Sequence, residues 1–194
     1  MKYLPSVAAF IVMIPIASSA HTYMTEIYVP AGYKQDMNMR VPHGCKSSPV
    51  KEVHVKIPEE IAGVSVTFMR DWKVEVKMRK LDKPVRVEGT TVITETVDEI
   101  IWKEPKSPLP PSRFFETFQF RVSLPNDPGR VIWFKSYNVC EDGDDKYVEV
   151  PKEELRVGMP DFKKKFDEFE KSVGGPAPFV ILIKPERPQY PWDL

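Results

Sequence analysis

Cysteine is scarce in this chain: its 194 residues hold two, Cys45 and Cys140, beside only three histidines, His21, His43 and His54. With no C-x-x-C spacing, the cysteines make a poor pair of thiolate metal ligands. Neither sign of charge is in surplus, since Lys+Arg and Asp+Glu both count 28. That balance argues against a nucleic-acid binder, which needs a face rich in Lys and Arg. Beyond the first twenty residues the longest apolar run is Phe179-Val180-Ile181-Leu182-Ile183, far below the roughly 20 residues a membrane helix requires. No G-x-S-x-G elbow, P-loop or dinucleotide fingerprint occurs. The carboxylate pairs Glu59-Glu60 and Glu153-Glu154 read as solvated surface, so acid–base catalysis has no sharp candidate and no enzyme activity is expected.

The N-terminus carries the pattern of a secretory leader. Lys2 supplies a positive start and Ala8 to Ile16 a short apolar core, and Ser18-Ser19-Ala20 places small residues at −3 and −1. The expected organisation is a leader over 1–20 and one domain over 21–194, with a loose Pro-rich tail over 184–194. The product is expected in the periplasm, the cell envelope or the medium, without a membrane anchor. In an oxidising compartment the two cysteines should pair, closing a loop that stabilises the fold by up to ~4–5 kcal/mol in the chain-entropy picture.

Period-two alternation dominates the rest of the chain. Met37, Met39 and Val41 alternate with polar residues, as do Val53, Val55 and Ile57, then Trp72, Val74, Val76 and Met78, then Phe118, Phe120, Val122 and Leu124. This is the pattern of half-buried strands. Proline and glycine punctuate them, so the expected fold is all-β: an immunoglobulin-like antiparallel sandwich. One helix is expected where Phe162, Phe166 and Phe169 fall at helical spacing after Pro160-Asp161. That stripe reads as a packing face.

The residue most telling of chemistry is His21, which cleavage after Ala20 would make the chain terminus. An N-terminal histidine offers two nitrogens, the α-amine and Nδ1, that close a six-membered chelate on one metal ion. A free α-amine titrates near ~8 and deprotonates readily for a metal. Cu(II) favours such a tetragonal N,O donor set. If His21–Val29 and Gln35–His43 pair about a turn at Pro30-Ala31-Gly32-Tyr33, His43 falls opposite His21. His43 would then be a second ligand; otherwise it only shapes the turn before Cys45. A Cys45–Cys140 bridge would bring Glu141, Asp142, Asp144, Asp145 and Tyr147 to the same end. Met24, Met37 and Met39 are thioethers suited to Cu(I), although their alternation fits core packing better. His54 lies on the polar face of its strand and is expected at the surface.

These residues resemble a family. Arg40-Val41-Pro42-His43-Gly44-Cys45, Val53 to Glu59 and Trp72 are similar to the YcnI-like family of exported copper-binding proteins. Ile101-Trp102, Leu109-Pro110, Phe115 to Phe118, Cys140 to Gly143, Tyr147 to Pro151 and Pro176-Ala177-Pro178 extend the likeness over nearly all of the processed chain. The resemblance implies a cupredoxin-like sandwich that binds copper through the N-terminal histidine, here His21. It also implies a role in copper delivery or homeostasis, the partners being the ion and a copper transporter or cuproprotein. Relatives with the plain brace carry a carboxylate after Val-Pro, where this chain has His43-Gly44-Cys45. The ligand expected there is then absent, replaced by His43, or supplied from elsewhere, with Glu116 the next choice. Tyr147 stands where the family has a tryptophan beside the site. Two alternatives remain open: a copper-dependent oxidative enzyme resembling polysaccharide monooxygenases, and a metal-free sandwich for adhesion or assembly.

Overall fold

A computed structural model describes residues 21–88 and 91–189; the expected leader over 1–20 lies outside the described residues. Among the described residues run twelve strands and one helix. They begin with β1 (Tyr23–Met24), β2 (Tyr28–Pro30), β3 (Lys34–Val41), β4 (Val50–Lys56), β5 (Val64–Val66), β6 (Lys73–Glu88) and β7 (Thr91–Lys103). Then come β8 (Glu116–Ser123), β9 (Val131–Trp133), β10 (Ser136–Cys140), β11 (Asp144–Tyr147), α1 (Phe162–Ser172) and β12 (Phe179–Ile183).

Two sheets make the sandwich, ordered β1-β3-β8-β5 and β11-β10-β4-β7-β6, with a smaller sheet β2-β12-β9 beside them. The alternation seen in the sequence sets their inner faces: Met37, Met39 and Val41 from β3 meet Phe118, Phe120 and Val122 from β8, all buried. Trp102, Val53 and Val55 line the facing sheet. Trp72 and Trp102 pack on Phe118 at ring-centroid distances of 5.0 and 5.1 Å. Each large side chain so enclosed contributes about 1.5–3 kcal/mol of burial. Met24, Met37 and Met39 belong to this core, and packing accounts for their spacing.

The helix covers the small sheet. Phe166 lies against Phe179 and Trp133 and carries Phe162 on its ring, and Phe169 meets the Trp133 ring edge-on at 5.5 Å. The described part of the tail is tied back to β3. The Gln189 side chain accepts from Lys34 N at 2.8 Å and donates to Lys34 O at 2.7 Å.

Two local expectations change. The hairpin about Pro30–Tyr33 does not form along its length: after Met24 the chain leaves β3, and β2 pairs in parallel with β12 instead. His54 is buried, because Tyr137 stacks on its ring at 4.0 Å and Glu99 and Glu52 close on its two nitrogens. Neighbouring strands of the sheet cover a polar face that period-two reading assigns to solvent.

Candidate functional site

The site grows from β1. Residues 21–24 alternate in burial, turning Thr22 and Met24 inward. Thr22 is 2% exposed, and its hydroxyl accepts a hydrogen bond from Asn138 Nδ2 at 3.1 Å. Asn138 sits on β10 in the opposite sheet, so this bond fastens the start of the fold across the sandwich. Tyr147 on β11 pairs with Ser136 of β10 and is buried. Its phenol is pushed up to about 12, first by burial and then by the Asp145 charge, against hydrogen bonding with Thr22. The tyrosine therefore stays protonated over the physiological range.

His21 comes next to this anchor. Its ring lies 5.7 Å from that of Tyr147, tilted by 57°. The segment after the helix closes over both. A Cβ placed on Gly175 would meet Tyr147 Cδ1 at 3.1 Å and His21 Cδ2 at 3.3 Å. A methyl there would press on both rings, meeting the imidazole at its Cδ2 edge. Ala177 N donates to Glu149 O at 2.9 Å and holds this strap beside β11.

Cys45 and Cys140 form a disulfide with their Cα atoms 6.0 Å apart, joining the loop after β3 to the end of β10. Gly44 beside it has no room for a side chain, which would collide with the Ser48 carbonyl. Two buried oxygens near the anchor, Asn138 Oδ1 and Ser136 Oγ, have no hydrogen-bond partner among the described residues. An unpaired buried polar atom is costly and marks a place that water or a ligand can satisfy.

Of the four expected metal-site residues, the fold brings two together, His21 and Tyr147. The pairing Tyr23↔Arg40 and Met24↔Met39 is one residue out from the register the sequence suggested, and continuing it sets Pro42 opposite His21. His43 instead turns its Nδ1 to the Gly44 carbonyl at 2.5 Å. Glu116 lies opposite Val41 on the far side of β3 from β1, its carboxylate accepting from Thr117 N at 3.0 Å. Among the described residues no three His, Cys, Asp or Glu side chains are grouped to hold a metal ion. A chelate built from the amine and ring of one residue does not need such a group.

Sequence reading missed Thr22, Asn138 and Gly175. Thr22 was legible as the inward neighbour of His21. Asn138 and Gly175 were not, because their roles depend on a cross-sheet contact and on where the strap lands.

No curated protein matches the chain. It is similar to a solved structure from Nocardia farcinica, described as the crystal structure of an uncharacterized protein that reveals an immunoglobulin-like fold. The TM-score is 0.55 and the identity 16%, with 84% of this chain and 99% of that one covered. That likeness establishes the fold alone. Residues 21–178 match the family described as a domain of unknown function, DUF1775, which includes the YcnI-like proteins whose motifs the sequence resembles. The match starts at the histidine that begins the site and takes in both cysteines, Tyr147 and Gly175: the chain belongs to the DUF1775 family.

Proposed function

We propose that the chain is exported, loses residues 1–20, and carries Cu(II) on the amine and Nδ1 of His21 as a delivery or homeostasis protein. The supporting observation is the setting of residue 21. Its neighbour Thr22 is locked into the sandwich by Asn138, and its ring stands against Tyr147 and Gly175. A terminus so held offers both nitrogens at a fixed point, which reduces the ordering cost of chelation. The donors suit the cargo: two nitrogens from one residue with a neutral phenol nearby match the N,O preference of Cu(II).

Delivery fits this set better than oxidation. An oxidative copper site of the type considered needs a second imidazole at the ion, and the β1–β3 register sets Pro42 rather than His43 opposite His21. Few protein ligands also leave the ion open to transfer.

The amine must shed its proton, so apparent affinity should fall as pH drops below ~8. Equilibrium dialysis of the chain beginning at His21, against the same chain with one alanine ahead of it, tests the reading. The expected result is tight Cu(II) binding by the first and at least about a hundredfold weaker binding by the second. Equal binding by the two would end it.

A further inference from the structure

Three loops meet at the end of the sandwich where His21 lies. They are residues 42–49 after β3, residues 67–72 after β5, and residues 104–115 before β8. Backbone bonds tie them into one surface. Gly44 N donates to Pro110 O at 3.3 Å, Val50 and Leu109 exchange bonds, and Lys106 N donates to Asp71 O at 3.0 Å. Among the described residues, the three non-glycine positions with left-handed backbone, Lys46, Glu104 and Arg113, all fall in these loops. Such conformations persist where the surroundings enforce them, and they gather at functional surfaces.

Aromatic rings stand out on this end. Phe68 is 83% exposed, and Phe114 and Phe115 are each 60% exposed. The neighbouring charges are uneven in their commitments. Asp71 is paired with Lys106 and Glu104 with Lys73, while the Glu116 carboxylate accepts from Thr117 N. Arg70 and Arg113, each within two residues of an exposed ring, have no ion pair among the described residues. Arg40 places its guanidinium 4.3 Å from the Phe115 ring centre, adding a third cation behind the aromatics.

We propose that this end docks on an anionic lipid surface, with Phe68, Phe114 and Phe115 entering the headgroup–acyl boundary and Arg70 and Arg113 meeting lipid phosphates. The rings rise from two loops rather than lining a groove, which suits a deformable interface. The uncommitted cations supply the charge match to acidic headgroups. Interfacial anchors of this kind combine apolar insertion of about 5–10 Å with attraction to anionic lipid, each weak alone. The acidic turn from Glu141 to Asp145 borders residues 42–49, with Glu141 N donating to Pro49 O at 3.0 Å and Asp142 N to Ser48 Oγ at 2.7 Å, so the lipid contact rests on loops 67–72 and 104–115. This docking does not rest on copper binding.

Residues 21–189 contain every strand and helix described and the disulfide, so the chain from residue 21 onward is a suitable test protein. The assay is co-sedimentation with phosphatidylcholine vesicles with or without phosphatidylglycerol. Binding is expected only with phosphatidylglycerol present, and it should weaken as salt rises. It should fall at least about tenfold in F68S/F114S/F115S and in R70E/R113E, with both variants keeping the parent melting temperature. No sedimentation with anionic vesicles, or undiminished sedimentation of the triple phenylalanine variant, would overturn the proposal. So would a phenylalanine-dependent dimer in sedimentation velocity without vesicle binding, because the rings would then serve a second copy of the chain.

Discussion

Two histidines of this protein sit in polar clusters built on opposite principles. Around His54 every group has a partner. Its nitrogens face Glu99 at 3.0 Å and Glu52 at 3.1 Å, and Glu99 also receives Lys77 at 2.6 Å and Tyr137 at 3.1 Å. Around His21 the accounting is left open, with Asn138 Oδ1 and Ser136 Oγ buried and unpaired among the described residues. The closed network reads as structure, and the open one belongs to the candidate site. Buried polar networks stabilise when complete, and departures from that rule gather at functional or strained places.

The largest effect should come from breaking the closed network. Burial raises the Glu99 carboxyl, but hydrogen bonds from Lys77, His54 and Tyr137 outweigh it and hold the group below its usual range. Glu99→Ala is expected to cost about 2–3 kcal/mol in chemical denaturation, since it strands buried partners. The pH dependence follows from the lowered value. The contribution is intact above the ordinary carboxylate range and is lost as pH falls through the folded-state value. Glu99→Gln should therefore flatten the acid limb of the stability profile, and an unchanged limb would count against this role.

Crowding the open cluster should separate function from stability. Gly175→Ala presses a methyl on Tyr147 and His21, whereas a methyl on Gly174 would have nothing within 4 Å. The first is expected to weaken Cu(II) binding about tenfold while shifting stability by less than about 1 kcal/mol. Gly174→Ala should leave affinity unchanged. Equal affinities for both would show that the strap does not position the histidine.

Ser136→Ala gives the smallest and most pointed contrast. Its hydroxyl is fully buried without a partner among the described residues, so removal should be neutral or stabilising by up to about 1 kcal/mol. A loss above that would mean the hydroxyl is satisfied after all, and the two clusters would no longer differ in kind.

Much of the fold was legible in the sequence because one face of each strand is wet and the other dry. Met37 to Val41 and Phe118 to Leu124 declared β3 and β8, and the Phe162 stripe declared the helix. The disulfide followed from there being only two cysteines. Where a strand is covered on both faces the rule fails. His54 alternates as a surface residue, yet Tyr137 from a neighbouring strand closes over it. The candidate site was half legible. His21 follows from the leader pattern and Tyr147 from its place in a family motif, but the His43 register turned on a single residue. The Gly174-Gly175 linker gave no sign that it would fold back onto His21.

Copper binding as proposed has His21 supplying two nitrogens to Cu(II) at the start of the fold. Electron paramagnetic resonance of the copper-loaded chain beginning at His21, with that histidine alone labelled with ¹⁵N, tests it most directly. Hyperfine coupling to both the labelled amine and the labelled imidazole nitrogen is the expected result. A spectrum insensitive to the label, or unaltered in His21→Ala, would contradict it.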